Sequence, residues 1–303
     1  MPSAAAYRAG ERFARHAPAP LARAAALAAG LAVAAASRDR RLLVRRNLER
    51  VHQRPMGRRE ASGQVAATFE WYARYYLESF QLPSLDASVI DAGFGCDGFD
   101  AIERAVRSGT GPILVMPHLG TWEWAAWWLA LVPKMRVTAV VEPLEPPEVF
   151  EWFVSFRQRL GMDIVPLGPG SGARLAAAIK RGDVVCLLSD RDVVGTGVAV
   201  EFFGERTRLP AGPAMLALRT GAPLIPAAVY WRGDSRHAIA MAPLDTRRSG
   251  GIRADVARVV ADYATALEEL IRVAPTQWHL MSPNWPSDYA ALGRPVPEAL
   301  SGL

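Results

Sequence analysis

A histidine and a glutamate lie close together in the segment Pro117-His118-Leu119-Gly120-Thr121-Trp122-Glu123, directly after an apolar run that ends at Met116. The run is typical of a buried strand, and Gly120 and Thr121 indicate a turn and the N-cap of a helix. His118 is therefore predicted at the C-terminal edge of a strand, where ligand sites of open α/β sheets gather. An imidazole beside a carboxylate takes a proton from a hydroxyl as that hydroxyl attacks a carbonyl, and this chemistry corresponds to acyl transfer to an alcohol.

Charged side chains also follow two other predicted strands, at points where they must face a cavity or a partner. Because the carboxyl ends of parallel strands meet at one edge, we expect these side chains to share a cleft with His118. The candidates are Glu142, Asp190, Arg191 and Asp192, with Arg157 on the helix after Glu142 and Glu201 ahead of a Phe-Phe pair. A structural cluster of ion pairs uses the same residue types, and a histidine after a strand is often structural, so both alternatives remain open.

The elements that position these residues follow from the hydrophobic pattern after Gly109, where short β-rich runs alternate with helical stretches. Strands are predicted at Ile113–Met116, Arg136–Val141, Asp163–Leu167, Val184–Leu188, Leu224–Tyr230 and Ala238–Met241. Helices are predicted at Trp122–Leu131, Val149–Leu160, Ser171–Arg181 and Arg253–Val273. An earlier helix, with a stripe of aromatic residues along one face, is predicted at Ser62–Gln81. This alternation predicts a single α/β domain with a central, mostly parallel β-sheet flanked by helices.

The glycine-rich segment Gly168-Pro169-Gly170-Ser171-Gly172 lacks the lysine and the full spacing of a phosphate-binding loop. A turn that ends in Ser171 as a helix N-cap is the better interpretation. The amide groups at the start of that helix still offer hydrogen bonds to an anion.

Composition and charge narrow the class of protein. Half of the 303 residues are hydrophobic, which is enough for one large core. All but two of the 35 basic residues are arginines, and residues 1–60 hold 13 of these arginines against four acidic residues. Such a concentration of positive charge predicts attraction to an anionic surface, either membrane or nucleic acid. Cys96 and Cys186 are far apart in sequence, and we predict neither a disulfide nor a metal site.

The N-terminal region is predicted to be a basic, alanine-rich helical extension, residues 1–60, ahead of the α/β domain, residues 61–303. Its longest uncharged apolar run, Ala24–Ala36, has 13 residues. A spanning helix needs about 20, so we expect this one not to cross a membrane. No good cleavage site follows the run, which argues against a signal peptide. A helix lying in the membrane interface fits the pattern, and a helix docked on the protein's own core is the alternative.

Five motifs follow one another along the chain. They are His118–Glu123, Ser189–Asp192, Val200–Gly204, Leu209–Pro213 and Trp278–Trp285. In this order they resemble the lysophospholipid and lipid A late acyltransferase superfamily, and more closely its actinobacterial branch, the phosphatidylinositol mannoside acyltransferases. The resemblance begins at Arg45-Arg46-Asn47-Leu48 and so covers nearly the whole chain.

The resemblance implies a peripheral protein on the cytoplasmic face of the inner membrane. It would move an acyl group from acyl-CoA, its co-substrate, to a glycolipid hydroxyl, and it would need no cofactor. His118 would be the general base, and either Glu123, the acidic member of its motif, or Asp190, which matches a carboxylate facing the histidine, would hold the imidazole. For the developing oxyanion, backbone N–H groups after His118 are the first candidates and Arg157 is the second.

The substrate pocket is less fully specified by the resemblance. Glu142 and Arg157 match acidic and basic pocket positions of the mannoside branch, and Arg191, Asp192 and Glu201 are further candidates for substrate binding. Pro143-Leu144-Glu145-Pro146 stands where that branch carries an arginine and a lysine, so the acceptor headgroup remains open.

Other functions would use the same residues. The acceptor could be a lysophospholipid or a lipid A-like sugar, and the donor could be acyl carrier protein. A thioesterase in which His118 activates water is another possibility, as is a non-catalytic binding module built on the arginine-rich N-terminus. No nucleic-acid-binding motif accompanies the charge, so we do not expect nucleic acid as a partner.

Overall fold

A computed structural model describes residues 3–303 of the chain. The strands are β1 (Phe94–Asp97), β2 (Ile113–Met116), β3 (Val137–Val141), β4 (Met162–Pro166), β5 (Val184–Leu188), β6 (Val198–Phe202), β7 (Glu205–Leu209), β8 (Leu224–Arg232) and β9 (Ser235–Ala240). The first helices are α1 (Ala4–His16), α2 (Ala19–Ala36), α3 (Arg38–His52), α4 (Arg58–Gln81), α5 (Ala87–Ala92) and α6 (Phe99–Arg107). The later helices are α7 (Trp122–Leu131), α8 (Pro147–Arg159), α9 (Ser171–Lys180), α10 (Gly212–Thr220), α11 (Ile252–Val273) and α12 (Pro286–Ala291).

Seven strands form one sheet in the order β1-β9-β8-β2-β5-β3-β4. All neighbouring pairs are parallel except β8 and β9, which form an antiparallel hairpin. The predicted α/β fold, with a mostly parallel sheet flanked by helices, is therefore confirmed. Three strands were not predicted: the edge strand β1, and β6 and β7, which form a separate hairpin.

The central strand β2 is buried on both faces, which explains its unbroken apolar sequence. Ile113 and Val115 belong to the hydrophobic core on one face of the sheet, whereas Leu114 and Met116 belong to the core on the other. Successive side chains of a strand point to opposite faces, so helices must cover both. This double cover leaves the ends of the strands as the places where polar side chains can reach a cleft.

The N-terminal helices pack along α4. Gly30 of α2 lies so close to α4 that an added Cβ would be 2.8 Å from the carbonyl oxygen of Phe69. Leu21, Leu27 and Leu31 of the same helix are exposed. The helix therefore rests on the protein along one side and presents an apolar side to its surroundings.

The length of α2 bears on the expectation that the N-terminal region does not cross a membrane. The helix has 18 residues with a mean hydropathy of 1.6, which by length and composition alone is enough to cross a membrane. The expectation rests on the length of the uncharged run after Arg23. The helix is longer than this run because it begins before Arg23 and continues through it.

The start of α9 differs from the prediction that Ser171 is the N-cap residue of this helix. Gly170, with a φ of 81°, occupies the N-cap position, and Ser171 is the first residue of the helix. Glycine accepts this left-handed backbone conformation without strain, so a serine side chain is not needed to begin the helix.

Candidate active site

The turn between β2 and α7 carries His118 and depends on glycine at position 120. Gly120 has a φ of 62°, and a Cβ added to it would lie 1.7 Å from the carbonyl oxygen of Val229. No side chain fits at that distance, so this close approach to β8 requires glycine. Thr121 occupies the N-cap position of α7, although its side chain makes no capping hydrogen bond. His118 thus lies just beyond the C-terminal end of β2.

His118 and Asp190 form a hydrogen-bonded pair beyond the ends of β2 and β5. Met116 pairs with Leu188 in the parallel register, so the next residues of both strands leave the sheet at the same level. Nδ1 of His118 lies 2.5 Å from Oδ1 of Asp190, and the backbone N–H of His118 donates to Oδ2 at 3.0 Å. With Nδ1 bound to the carboxylate, Nε2 is the ring nitrogen left to accept a proton.

The Asp190 carboxylate is held from a second direction by the C-terminal segment of the chain. The indole N–H of Trp278 donates to Oδ2 at 2.7 Å, and the side-chain amide of Asn284 donates to the Asp190 carbonyl at 3.0 Å. Burial by itself would raise the pKa of Asp190, but the neighbouring His118 charge and the hydrogen bonds from His118 and Trp278 lower it below its ordinary value. Asp190 is fully buried yet stays ionised beside an imidazole of which 33% is exposed.

Glu123 is the second carboxylate of the predicted site, and its hydrogen bonds go elsewhere than to His118. Its Oε1 accepts hydrogen bonds from the Tyr75 hydroxyl at 2.5 Å and from Arg157 at 3.0 Å. The guanidinium of Arg157 also lies 4.9 Å from the centre of the Trp122 ring. Of the two carboxylates considered as partners of the imidazole, Asp190 makes the contact, and Glu123 belongs to a buried cluster with Tyr75 and Arg157.

The electrostatics of the Glu123 cluster follow from its burial. Burial by itself would lower the pKa of Arg157, but the Glu123 charge raises it above its ordinary value. Burial together with the Glu123 charge raises the pKa of Tyr75 well above its usual range. The cluster is therefore an ion pair with a neutral tyrosine as an added donor.

Three further predicted residues lie close to the dyad in sequence or in space. Arg191 donates to Glu142 at 2.6 Å, which joins the ends of β5 and β3 at the cleft. Asp192 accepts hydrogen bonds from the backbone N–H groups of Val194 at 3.1 Å and Gly197 at 2.6 Å. These two bonds shape the loop before β6, so both carboxylate oxygens of Asp192 are engaged by the protein.

Glu201 is the predicted site residue that the structure places elsewhere. It lies exposed on β6, directly opposite Arg206 of β7. Side chains alternate between the faces of a strand, and it is the neighbouring Phe202 that is buried. Glu201 is not among the residues that line the cavity at His118.

A cavity of about 750 Å³ opens at His118. One part of its wall is aromatic and includes the buried cluster at Arg157; the residues are Tyr7, Tyr75, Tyr76, Trp122, Phe153 and Arg157. The other part is formed by the starts of α9 and α10 and by the loop after β5; its residues include Ser171, Gly172, Leu175, Val193, Val194, Pro210, Gly212 and Leu216. Glu142 and Arg191 also line the cavity. A mostly apolar cavity with a few polar groups near a base suits a ligand with a long hydrocarbon part.

Two of the amide groups predicted to stabilise an oxyanion, those of Leu119 and Gly120, already donate hydrogen bonds within the protein. The N–H of Leu119 donates to the Pro117 carbonyl at 2.8 Å, and the N–H of Gly120 donates to the Gln277 carbonyl at 3.0 Å. Neither of these two amides is free for a ligand, and a role for amides further along the turn stays a prediction. Arg157, the second candidate, lines the cavity but is paired with Glu123.

Other types of reactive group are placed as follows. Cys96 and Cys186 are both free thiols, and burial raises the pKa of Cys186 to about 12. Across residues 3–303, no three or more His, Cys, Asp or Glu side chains are grouped so that they could hold a metal ion. The His118–Asp190 dyad lies at the cavity in an arrangement suited to moving a proton.

The sequence pattern did not single out the residues that hold Asp190 in place. Trp278 and Asn284 stand in the C-terminal motif, about ninety residues after Asp190, and hydrophobic periodicity gives no sign of the contact. Tyr75 lies within the aromatic stripe predicted for Ser62–Gln81, and that pattern does not predict its contact with Glu123. A buried tryptophan or tyrosine needs a partner for its polar atom, which is the one general signal that points to both contacts.

The fold and the dyad at the sheet edge agree with the comparison to known families. The family model of bacterial lipid A biosynthesis acyltransferases matches residues 3–287. The chain belongs to this family and is an acyltransferase.

Two curated relatives narrow the group further. The chain is 35% identical over 231 residues to the phosphatidylinositol mannoside acyltransferase of Mycobacterium tuberculosis strain H37Rv, which covers 74% of this chain and 71% of the relative. It is also 35% identical over 248 residues to the phosphatidylinositol mannoside acyltransferase of Mycolicibacterium smegmatis, which covers 81% of this chain and 79% of the relative. The resemblance drawn from the five motifs is confirmed.

Proposed function

We propose that the chain transfers a fatty acyl group from acyl-CoA to a hydroxyl of a membrane glycolipid, the mannose of a phosphatidylinositol mannoside. The observation that carries the proposal is the His118–Asp190 dyad at the mouth of a largely apolar cavity of about 750 Å³. The identity of 35% to two phosphatidylinositol mannoside acyltransferases supports the choice of acceptor.

The dyad supports direct transfer by general-base catalysis. Nε2 of His118 takes the proton of the acceptor hydroxyl while the hydroxyl oxygen attacks the thioester carbonyl. The tetrahedral intermediate collapses, the carbon–sulfur bond breaks, and the imidazolium returns the proton to the departing thiolate. Asp190 keeps the proton of the neutral ring on Nδ1 and stabilises the imidazolium. No covalent acyl-enzyme forms on this route.

Polar groups at the cavity support an acceptor rich in hydroxyls. Glu142 and Arg191 form an ion pair in which 34% and 30% of the respective side chains stay exposed, so their remaining hydrogen-bonding positions are open to a sugar. The resemblance gave Glu142 and Arg191 as separate candidates for substrate binding, and in this proposal they bind the acceptor together, as an ion pair. The aromatic part of the wall is left to the acyl chain.

The N-terminal helices support a peripheral position on the cytoplasmic face of the inner membrane. The exposed side chains of Leu21, Leu27, Leu31 and Val33 give α2 an apolar outer side. Residues 1–60 add 13 arginines, which favour an anionic lipid surface. Apolar contact and charge attraction together give stable attachment without a spanning segment.

The direct experiment is mass spectrometry of the products formed by the purified protein. Acyl-CoA and acyl carrier protein thioester are supplied in turn as donors, each with a phosphatidylinositol mannoside, lysophosphatidic acid or a lipid A-like disaccharide. The proposal predicts an added acyl group on the mannoside with acyl-CoA, and little free fatty acid when the acceptor is absent. Acylation of another acceptor alone would overturn the acceptor, and fatty acid released equally without acceptor would identify a thioesterase.

A further inference from the structure

The Asp190 carboxylate of the dyad is held in place by the indole of Trp278. Oδ2 of Asp190 accepts hydrogen bonds from the Trp278 N–H at 2.7 Å and from the backbone N–H of His118 at 3.0 Å, so Oδ1 is the oxygen left for the imidazole. A carboxylate can rotate about its terminal bond and present either oxygen, and two donors on one oxygen remove that freedom.

Trp278 itself is held rigidly. Its ring is buried and lies 6.2 Å from the Phe202 ring and 5.6 Å from the Phe203 ring, centre to centre. Its backbone runs alongside the catalytic turn, because the N–H of Gly120 donates to the Gln277 carbonyl at 3.0 Å. The indole and the turn that carries the base are therefore parts of one braced unit.

The backbone on both sides of Trp278 reinforces this unit. The N–H of His279 donates to the carbonyl of His118 at 2.7 Å. The Asn284 amide reaches the Asp190 carbonyl at 3.0 Å. The C-terminal segment thus makes hydrogen bonds to both members of the dyad. Among these contacts, only the Trp278 indole contacts the carboxylate group of Asp190.

We propose that Trp278 is a positioning residue of the acyl transfer: its indole N–H holds the Asp190 carboxylate so that Oδ1 is aligned on Nδ1 of His118. The role rests on the proposed function, in which that dyad moves the proton. Loss of the N–H frees the carboxylate to rotate and removes a hydrogen bond from its ionised form. The dyad then binds a proton more readily, because a charge-assisted hydrogen bond that favours ionised Asp190 is gone.

The other titratable groups around the dyad are not expected to obscure the change in pH dependence caused by loss of the Trp278 N–H. Burial, then the charge of His118, lowers the pKa of His279 to about 3. Burial raises the pKa values of Tyr75 and Tyr263 well above the usual range. The remaining charged neighbours are paired or engaged: Arg191 with Glu142, Arg157 with Glu123, and Asp192 with the amides of Val194 and Gly197.

The test compares Trp278→Phe with Trp285→Phe. Both tryptophans are buried in the same segment, and Trp285 donates its N–H to the Phe202 carbonyl at 3.1 Å instead of to the dyad. Each substitution keeps an aromatic ring and deletes one N–H, so the two carry similar costs to the fold. Rates are measured from pH 5 to pH 9 with saturating and limiting acyl-CoA.

For Trp278→Phe we expect kcat to fall tenfold or more with KM for acyl-CoA within twofold of the wild type. We also expect the acid limb of the pH–rate profile to move up by about one pH unit, as loss of a hydrogen bond to a charged group implies. Trp285→Phe keeps the wild-type acid limb. An unshifted acid limb in folded Trp278→Phe, or an equal shift in both variants, overturns the proposal.

Two additions keep the result decisive. If Trp278→Phe does not fold, a benzothienylalanine at position 278 keeps the shape of the ring and lacks the N–H, and the same shift is expected. If the wild type transfers no acyl group, the proposed function fails, but titration of the His118 ring by NMR still tests the positioning. The His118 resonance is assigned by its loss in His118→Ala, and an unchanged midpoint in the variant without the N–H contradicts the role of Trp278.

Discussion

Arg157 donates a hydrogen bond to Glu123 at 3.0 Å, and both side chains are largely buried, with Arg157 lining the cavity. The glutamate of the His118–Glu123 motif therefore acts on the guanidinium and on Tyr75, while the imidazole is held by Asp190. The histidine and the glutamate of the motif therefore belong to two different sites: His118 to the dyad at the turn, and Glu123 to an ion pair in the first turn of α7.

Removal of Glu123 should act through the fold. Glu123→Ala leaves the buried guanidinium of Arg157 without its counter-charge, and breaking such a pair costs about 3–5 kcal/mol of unfolding free energy. The matched control is Glu142→Ala, which breaks a pair with both side chains about a third exposed, worth about 0–1 kcal/mol. Urea unfolding followed by circular dichroism measures both. Equal losses in the two variants would show that the Glu123–Arg157 pair is not a structural ion pair.

Asp190 should make stability depend on pH. Its pKa is lower in the folded protein than its ordinary value of about 3.9. The ionised form is thus favoured by folding, and its contribution is complete above the unfolded pKa and lost as the pH falls through the folded pKa.

Asp190→Asn removes this contribution. We expect the difference in unfolding free energy between wild type and variant to shrink as the pH falls below about pH 4. Denaturant unfolding at a series of pH values measures it. A difference that stays the same down to pH 3 would mean that the carboxylate is not stabilised by its neighbours.

The exposed side of α2 should attach the protein to lipid. Leu27→Glu together with Leu31→Glu places two charges among the exposed leucines, so binding to anionic phospholipid vesicles should fall at least tenfold. Val89→Glu with Val273→Glu is the matched control, since those apolar side chains are also exposed but lie on α5 and α11. Vesicle co-sedimentation reports both, and equal binding of the two double variants would argue against α2 as the attachment surface.

The sequence was sufficient to predict those parts of the fold that depend on one strong pattern, the hydrophobic runs of the strands. Short apolar runs such as Val184–Leu188, which alternate with helical stretches, are typical of strands buried on both faces. The parallel sheet and the positions of His118 and Asp190 at its edge could therefore be predicted. The resemblance then gave the order of the motifs and the role expected of each.

The rest depended on contacts between distant parts of the chain. Whether Glu123 or Asp190 meets the imidazole is decided by the direction of the side chains that leave β2, β5 and α7, and a spacing of residues does not contain that direction. The role of Trp278 comes from a segment that folds back over the sheet edge after α11. Glu201 was misplaced because β6 and β7 were not recognised as a hairpin, and with them the alternation that turns this side chain outward was missed.

The central claim is that the imidazole of residue 118 is the base of the transfer, and His118→Ala tests it most directly. Its matched control is His237→Ala, since His237 also pairs with a carboxylate, Asp97 at 2.8 Å, but lies on β9 outside the cavity lining. The measurement is acylated mannoside formed per minute from acyl-CoA by each folded variant. The account predicts a loss of about 10²–10⁴-fold for His118→Ala, the range typical of a general base, and wild-type turnover for His237→Ala. Turnover by folded His118→Ala within a few fold of the wild type would contradict it.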